Sequence, residues 1–271
     1  MNRKIYTLLL LLLAAAVQAK TARTFTLNLT DDGKAQMVCF LPDAPSGKAI
    51  VGVPGGGYSM LSNTHEGTQA SGWLNDQGIA YFVVNYRLPD GDRTKPISDV
   101  EKGIRIVRDS ADVWGINPHD VGIMGFSAGG HLTLMTATNA RTPAYARVDA
   151  VDDLPANVQW AVPVYPAYSL TDGVDRTNVR GGNYDDAVPV PEFSFDPDTP
   201  PMCFLHGDAD QWAAMNSVKI WEKLRMMGIQ CDLHTYARRG HCFQIKCSPG
   251  TGSWTWLDRV WDFLSAKKFN R

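Results

Sequence analysis

Val121-Gly122-Ile123-Met124-Gly125-Phe126-Ser127-Ala128-Gly129-Gly130-His131-Leu132 is the stretch from which the fold is read. Its first four residues are apolar or small and read as a buried strand, while Gly130 to Ala137 reads as a helix. Between them, Gly125-Phe126-Ser127-Ala128-Gly129 has the form G-x-S-x-G, in which a serine occupies a strained turn from strand to helix. The small residues on either side let strand and helix approach closely. Pentads of this form also arise by chance. A strand before and a helix after are the context the motif requires, and both are here.

Working outward, apolar runs bounded by Gly, Pro and Asp alternate with helix-period segments, which predicts βα units around a parallel sheet. Phe25 to Leu29 and Ala35 to Leu41, joined by Asp31-Asp32-Gly33, read as an antiparallel hairpin. Ala49–Val53, Ala80–Tyr86, Val121–Gly125, Val158–Tyr165, Met202–His206 and Asp232–Tyr236 complete a set of about eight strands. Ile97, Val100, Ile104, Val107, Ala111 and Trp114 recur at helical spacing between Pro96 and Gly115, so one helix is predicted there. Similar stripes run from Ala214 to Gly228 and from Trp254 to Leu264. The expectation is an α/β fold: one domain over residues 20–271, its sheet mostly parallel, with helices on both faces. Residues 139–157 and 167–199 lack a period. They are expected to surround the carboxyl edge of the sheet, where open α/β folds place their sites.

Composition bounds the function loosely. Of 271 residues 44% are hydrophobic and 20% charged, which is enough for a sizeable core, and a net charge of −2 offers no handle for nucleic acid. Arg3 and Lys4, the apolar run Leu8 to Val17 and the small residues to Ala19 read as a secretory signal peptide over residues 1–19. The run is shorter than the ~20 apolar residues a membrane span needs, and no cysteine stands at the cut to carry a lipid. A secreted or periplasmic protein without a membrane anchor is expected. Five cysteines follow: Cys39, Cys203, Cys231, Cys242 and Cys247. An odd count leaves at least one thiol free; Cys242 and Cys247 are close enough to pair, and buried thiols are an equal reading.

A serine in such a turn is served by an acid and then a histidine further along the chain. Val53-Pro54-Gly55-Gly56-Gly57-Tyr58 follows a strand ahead of the turn, and its glycines can aim backbone N–H groups at a ligand. Gly56, Gly57 and Ala128 are the candidate oxyanion donors. Cys203-Phe204-Leu205-His206-Gly207-Asp208-Ala209-Asp210 runs from a strand into an acidic loop, where Asp208 and Asp210 compete for the acid. Arg239-Gly240-His241-Cys242-Phe243 follows the last strand and supplies the base, His241, which can take the Ser127 proton and return it. His65, His119, His131, His206 and His234 precede that position and read as structural. No H-E-x-x-H spacing or G-x-G-x-x-G fingerprint is present, so neither a metal nor a cofactor is implied.

Taken together, Pro-Gly-Gly-Gly-Tyr at 54–58, Tyr86-Arg87-Leu88, Gly-Phe-Ser-Ala-Gly-Gly-His-Leu at 125–132, His-Gly-Asp-Ala-Asp at 206–210 and Gly-His at 240–241 resemble one group of enzymes. These are the bacterial acetyl-xylan-esterase-like and feruloyl-esterase-like α/β hydrolases, related more distantly to the hormone-sensitive-lipase group. The resemblance runs in order through most of residues 20–271. It implies a Ser127, Asp210, His241 triad and a carbohydrate esterase that removes acyl groups, most often acetyl, from plant-type glycans. Two departures stand out. Gln211-Trp212-Ala213-Ala214 replaces a Val-Pro-type turn after the acid, and Cys242 replaces a glycine after the base. Tyr58 and Trp212 are weaker candidates for substrate contact. A serine peptidase on this fold would share the triad but commonly carries a further domain, which is not read here. A binding protein without catalysis would fail to react with a fluorophosphonate.

Overall fold

The computed structural model describes residues 23–139, 141–171, 184–212, 214–243 and 255–265. The expected signal segment 1–19 and Cys247 lie outside them.

Eight strands form one sheet: β1 Arg23–Asn28, β2 Gln36–Leu41, β3 Ala49–Val53, β4 Ala80–Asn85, β5 Val121–Phe126, β6 Ala161–Val164, β7 Met202–Gly207 and β8 Cys231–Tyr236. Their spatial order is β1-β2-β4-β3-β5-β6-β7-β8. β1 pairs antiparallel with β2, and β2 antiparallel with β4; every later pairing is parallel. Among the described residues the α-helices are α1 Ser71–Asp76, α2 Thr94–Asp109, α3 Ala111–Trp114, α4 Ala128–Thr138, α5 Met215–Met226 and α6 Trp256–Ser265.

The central strands are buried on both faces, which is why they read as continuous apolar runs. Side-chain alternation divides them between two cores. Val51, Val53, Phe82, Val84, Ile123 and Phe204 pack with Val100, Ile104 and Val107 of α2, Leu132 and Met135 of α4, and Leu224 of α5. Ile50, Tyr81, Val83, Met124, Phe126 and Leu205 face the other way, onto Leu74 of α1 and Trp256, Val260 and Phe263 of α6. The mostly parallel sheet with helices on both faces is as expected.

Two expectations change in detail. The single helix from Pro96 to Trp114 is two, because it breaks at Ser110 beside Asp109, both poor helix formers. Gly115, at φ 68, then ends α3 in the left-handed region. Trp114 keeps its inward face despite the break, with its ring centroid 5.2 Å from that of Phe82 and 5.8 Å from that of Phe25. The strand predicted over 158–165 shortens to β6, Ala161–Val164, and ends at Tyr165, whose φ is 35.

Candidate active site

Ser127 stands between β5 and α4 at φ 54, ψ −117, a conformation costly for any residue with a side chain. The surroundings enforce it. Ser127 N–H donates to Val164 O at 3.0 Å, and Ser127 O accepts from both His131 and Ala167 amides. The flanking glycines are needed for space. A Cβ on Gly125 would lie 2.2 Å from Gly129 O, and one on Gly129 would lie 2.1 Å from Val53 O. The turn thus presses against the end of β3, which carries the glycine run. Gly55 sits in the same press, since its Cβ would fall 2.7 Å from Phe126 O and 3.0 Å from Ser127 Cβ.

Beyond Gly55 the chain holds three positive φ angles in a row: 122 at Gly56, 64 at Gly57 and 61 at Tyr58. Gly56 O caps the turn by accepting from Ser59 and Met60 amides. Among the described residues no acceptor takes the amide hydrogens of Gly56, Gly57 or Ala128. Tyr58 does not present its hydroxyl to the site as a substrate contact would. It hydrogen-bonds the Nδ1 of His131 at 2.8 Å, with the Arg93 guanidinium 5.2 Å from its ring centroid. The sequence could not show this, because His131 is brought to Tyr58 only when the glycine loop folds over α4.

The β7 and β8 loops bring the remaining groups. Ala209 N–H donates to Arg239 O, and a Cβ on Gly207 would lie 2.3 Å from that same oxygen, so the acid loop lies against the histidine loop. His241 bridges the two halves: its Nε2 is 2.7 Å from Ser127 Oγ and its Nδ1 is 2.7 Å from Asp210 Oδ2. Asp210 is fully buried, and its Oδ1 accepts the Trp212 amide at 2.8 Å. Burial alone would raise the Asp210 pKa, yet hydrogen bonds from His206 and His241 outweigh it and hold the carboxyl well below the usual range. Asp208 is exposed, makes its backbone bond to Tyr236 O and is not joined to His241. Of the two candidate acids, Asp210 is the one beside the base.

The His241 ring is flanked by Tyr165 at 4.9 Å and Trp212 at 6.2 Å between centroids. Trp212 therefore sits beside His241, and Tyr168 packs against Trp212 at 5.5 Å between centroids. Sequence reading missed Glu66, Tyr165 and Tyr168. Glu66 is buried and accepts the Tyr165 hydroxyl at 2.9 Å. No periodicity or spacing marks such a residue; only the folded loop brings it behind the base. Of the two long segments expected around the site, 167–199 reaches it through Ala167 and Tyr168. Segment 139–157 instead ties to α2, through Asp149 and Asp152 to Lys102 and through Leu154 O to Arg105.

Elsewhere, Cys203, Asp232 and His234 place one potential ligand atom each within 4.8 Å of one another on β7 and β8. Cys203 and Asp232 begin their strands, away from the carboxyl ends that carry Ser127 and Asp210. A recess of about 1450 Å³ lined by Arg108, His119, Asp120 and Gln159 also lies at the amino ends of the strands and contains none of the triad. Cys39 and Cys203 are buried free thiols, and Cys231 is also free. The Cys242–Cys247 pairing falls outside the described residues.

A strained serine after a central strand, a histidine on the last loop and an acid between them define an α/β hydrolase fold. The chain belongs to the BD-FAE family, whose sequence profile matches residues 39–224. It is 50% identical over 266 residues to an acetylxylan esterase of Xylanibacter ruminicola, an alignment covering 94% of this chain and 52% of that one. It is 25% identical over 232 residues to the esterase LipC of Mycobacterium tuberculosis, covering 78% and 57%. The chain thus spans about half the length of these curated relatives. Among solved structures it superposes on an acetyl ester-xyloside bifunctional hydrolase from Caldicellulosiruptor lactoaceticus with a TM-score of 0.74 and 25% identity, covering 90% and 97%. A propionate-bound esterase from Thermogutta terrifontis shares the fold at a TM-score of 0.69 and 21% identity, covering 92% and 96%.

Proposed function

We propose that the protein is a secreted serine esterase that removes acetyl groups from xylan-type glycans through an acyl-enzyme. The observation that carries this reading is His241, held 2.7 Å from both Ser127 Oγ and Asp210 Oδ2. The acetylxylan esterase of X. ruminicola, 50% identical, supports the substrate class. The charged and apolar pattern of residues 1–19 supports export.

In the first half-reaction, Ser127 Oγ attacks the acetyl carbonyl while its proton passes to His241 Nε2. The amides of Gly56, Gly57 and Ala128 hold the oxyanion, and Asp210 steadies the imidazolium at Nδ1. When the tetrahedral species collapses, the bond to the sugar oxygen breaks and His241 gives that oxygen its proton. In the second half-reaction, water loses a proton to His241 and attacks the acetyl-serine, releasing acetate and restoring the Ser127 hydroxyl. Protons and leaving groups balance over the cycle.

Acetate release from acetylated xylan, run beside methyl ferulate, tests the proposal. The purified protein is expected to release acetate and little ferulate, and its Ser127→Ala variant to release neither. Ferulate turnover without acetate would overturn the acyl group proposed. Acetate release that survives Ser127→Ala would overturn the serine mechanism.

A further inference from the structure

Asp210 has two histidine partners, and the reading of Ser127 and His241 as nucleophile and base uses only one. His206, the fifth residue of β7, is fully buried, and its Nε2 lies 2.9 Å from Asp210 Oδ2, the oxygen that also receives His241 Nδ1. Its other nitrogen, Nδ1, lies 2.7 Å from the Oγ of Ser217, itself fully buried at the start of α5. The tautomer follows from the partners. A carboxylate only accepts, so His206 carries its hydrogen on Nε2, and Nδ1 is left to accept from the Ser217 hydroxyl. Burial favours the neutral imidazole, so the ring adds no charge to the pocket. With the Trp212 amide on Oδ1, the carboxylate accepts three hydrogen bonds, and two of them converge on one oxygen.

We propose that His206 is a positioning residue that divides the Asp210 carboxylate between two imidazoles and so sets the basicity of His241. This deepens the esterase reading and rests on it. A second donor on Oδ2 withdraws electron density from the bond to His241 Nδ1. The imidazolium formed when His241 takes the Ser127 proton is then held less tightly by Asp210. The same bond fixes the carboxylate's orientation without a charge. Among the described residues, the titratable groups near His241 include Glu66, reached through Tyr165, together with Tyr165 and Cys242 themselves and Arg239 on the same loop. None of them hydrogen-bonds Asp210.

The test is the acidic limb of kcat/KM for p-nitrophenyl acetate in His206→Asn and His206→Gln. The Gln amide reaches the place of Nε2 and keeps a donor on Asp210. The Asn amide reaches only the place of Nδ1 and leaves Oδ2 to His241. The limb of His206→Asn is expected to rise by about 0.5 pH unit or more, the scale of one lost hydrogen bond to a carboxylate. That of His206→Gln should stay with the wild type. Limbs that coincide in all three proteins, or move equally in both variants, would reduce His206 to packing and overturn the proposal. A Ser127→Ala protein with wild-type turnover would overturn the esterase mechanism and this inference with it. An inactive Ser127→Ala with unmoved limbs would overturn this inference alone.

Discussion

At Ser127 the chain accepts a positive φ that only glycine adopts freely, and neighbouring residues are chosen to make that bearable. Gly129 shows how tightly. A methyl group there would enter Val53 O at 2.1 Å and Pro54 O at 2.5 Å, and neither carbonyl can move without moving the glycine loop. Gly129→Ala is therefore expected to lower kcat for p-nitrophenyl acetate by about 100-fold or more, the effect of displacing a preorganised site by about 1 Å. An unchanged kcat in a folded Gly129→Ala protein would contradict the close approach. Tyr58 is the second strained residue of the site. Its hydroxyl is tied to His131 Nδ1, four residues beyond the nucleophile, and Arg93 lies over its ring. Tyr58→Phe keeps the ring and loses the tie. It should lower kcat several-fold and leave KM within about twofold, because in the proposed mechanism the loop it steadies acts on the oxyanion rather than on substrate in its ground state.

Among elements, α2 bears on most of its surroundings. Its inner stripe packs on the sheet, and its outer residues pin segment 139–157. Arg108, near its end, donates to the carbonyls of Pro118, Pro155 and Asn157 and to the Gln159 side chain. Arg108→Leu strands those acceptors and should lower unfolding stability by about 2–4 kcal/mol in urea melts. The mutated residue lies at the opposite strand ends from Ser127, so kcat should hold. Elements were legible in the sequence where one physical rule dominated. Val121–Gly125 reads as a strand because both its faces are buried, and Gly125 to Gly129 as its turn because helix and strand must touch. The single helix predicted through Ser110 failed because its stripe continues across the break: Ala111 and Trp114 still face inward after the axis changes. Chain order left Asp208 and Asp210 competing, with the family resemblance favouring Asp210, whereas His241 was legible from chain order. Glu66, Tyr165 and Tyr168 were not, because each joins the site from a loop whose path has no period to read.

Over the whole molecule, two buried histidines contribute to the response to acid. Burial, helped by the nearby Arg93 charge, lowers the pKa of His131 to about 3, and burial also lowers that of His206. The unfolded chain takes up these protons near pH 6.5, whereas the folded chain resists them. The His131 contribution is thus complete above about pH 6.5 and falls as pH drops toward about 3, by at most about 1.4 kcal/mol per pH unit, and that of His206 falls in the same direction. Urea midpoints measured from pH 7.5 to 4 should decline across that range, and His131→Asn should flatten the slope. The exposed pairs Arg147–Asp153 and Arg141–Asp198 contribute little to this profile. The reactivity of the Ser127 hydroxyl is read out by labelling with a fluorophosphonate followed by peptide mass mapping. One adduct per chain is expected, on Ser127, forming at least about tenfold more slowly in His241→Ala. An unlabelled protein, or an adduct on any other residue, would contradict Ser127 as the nucleophile.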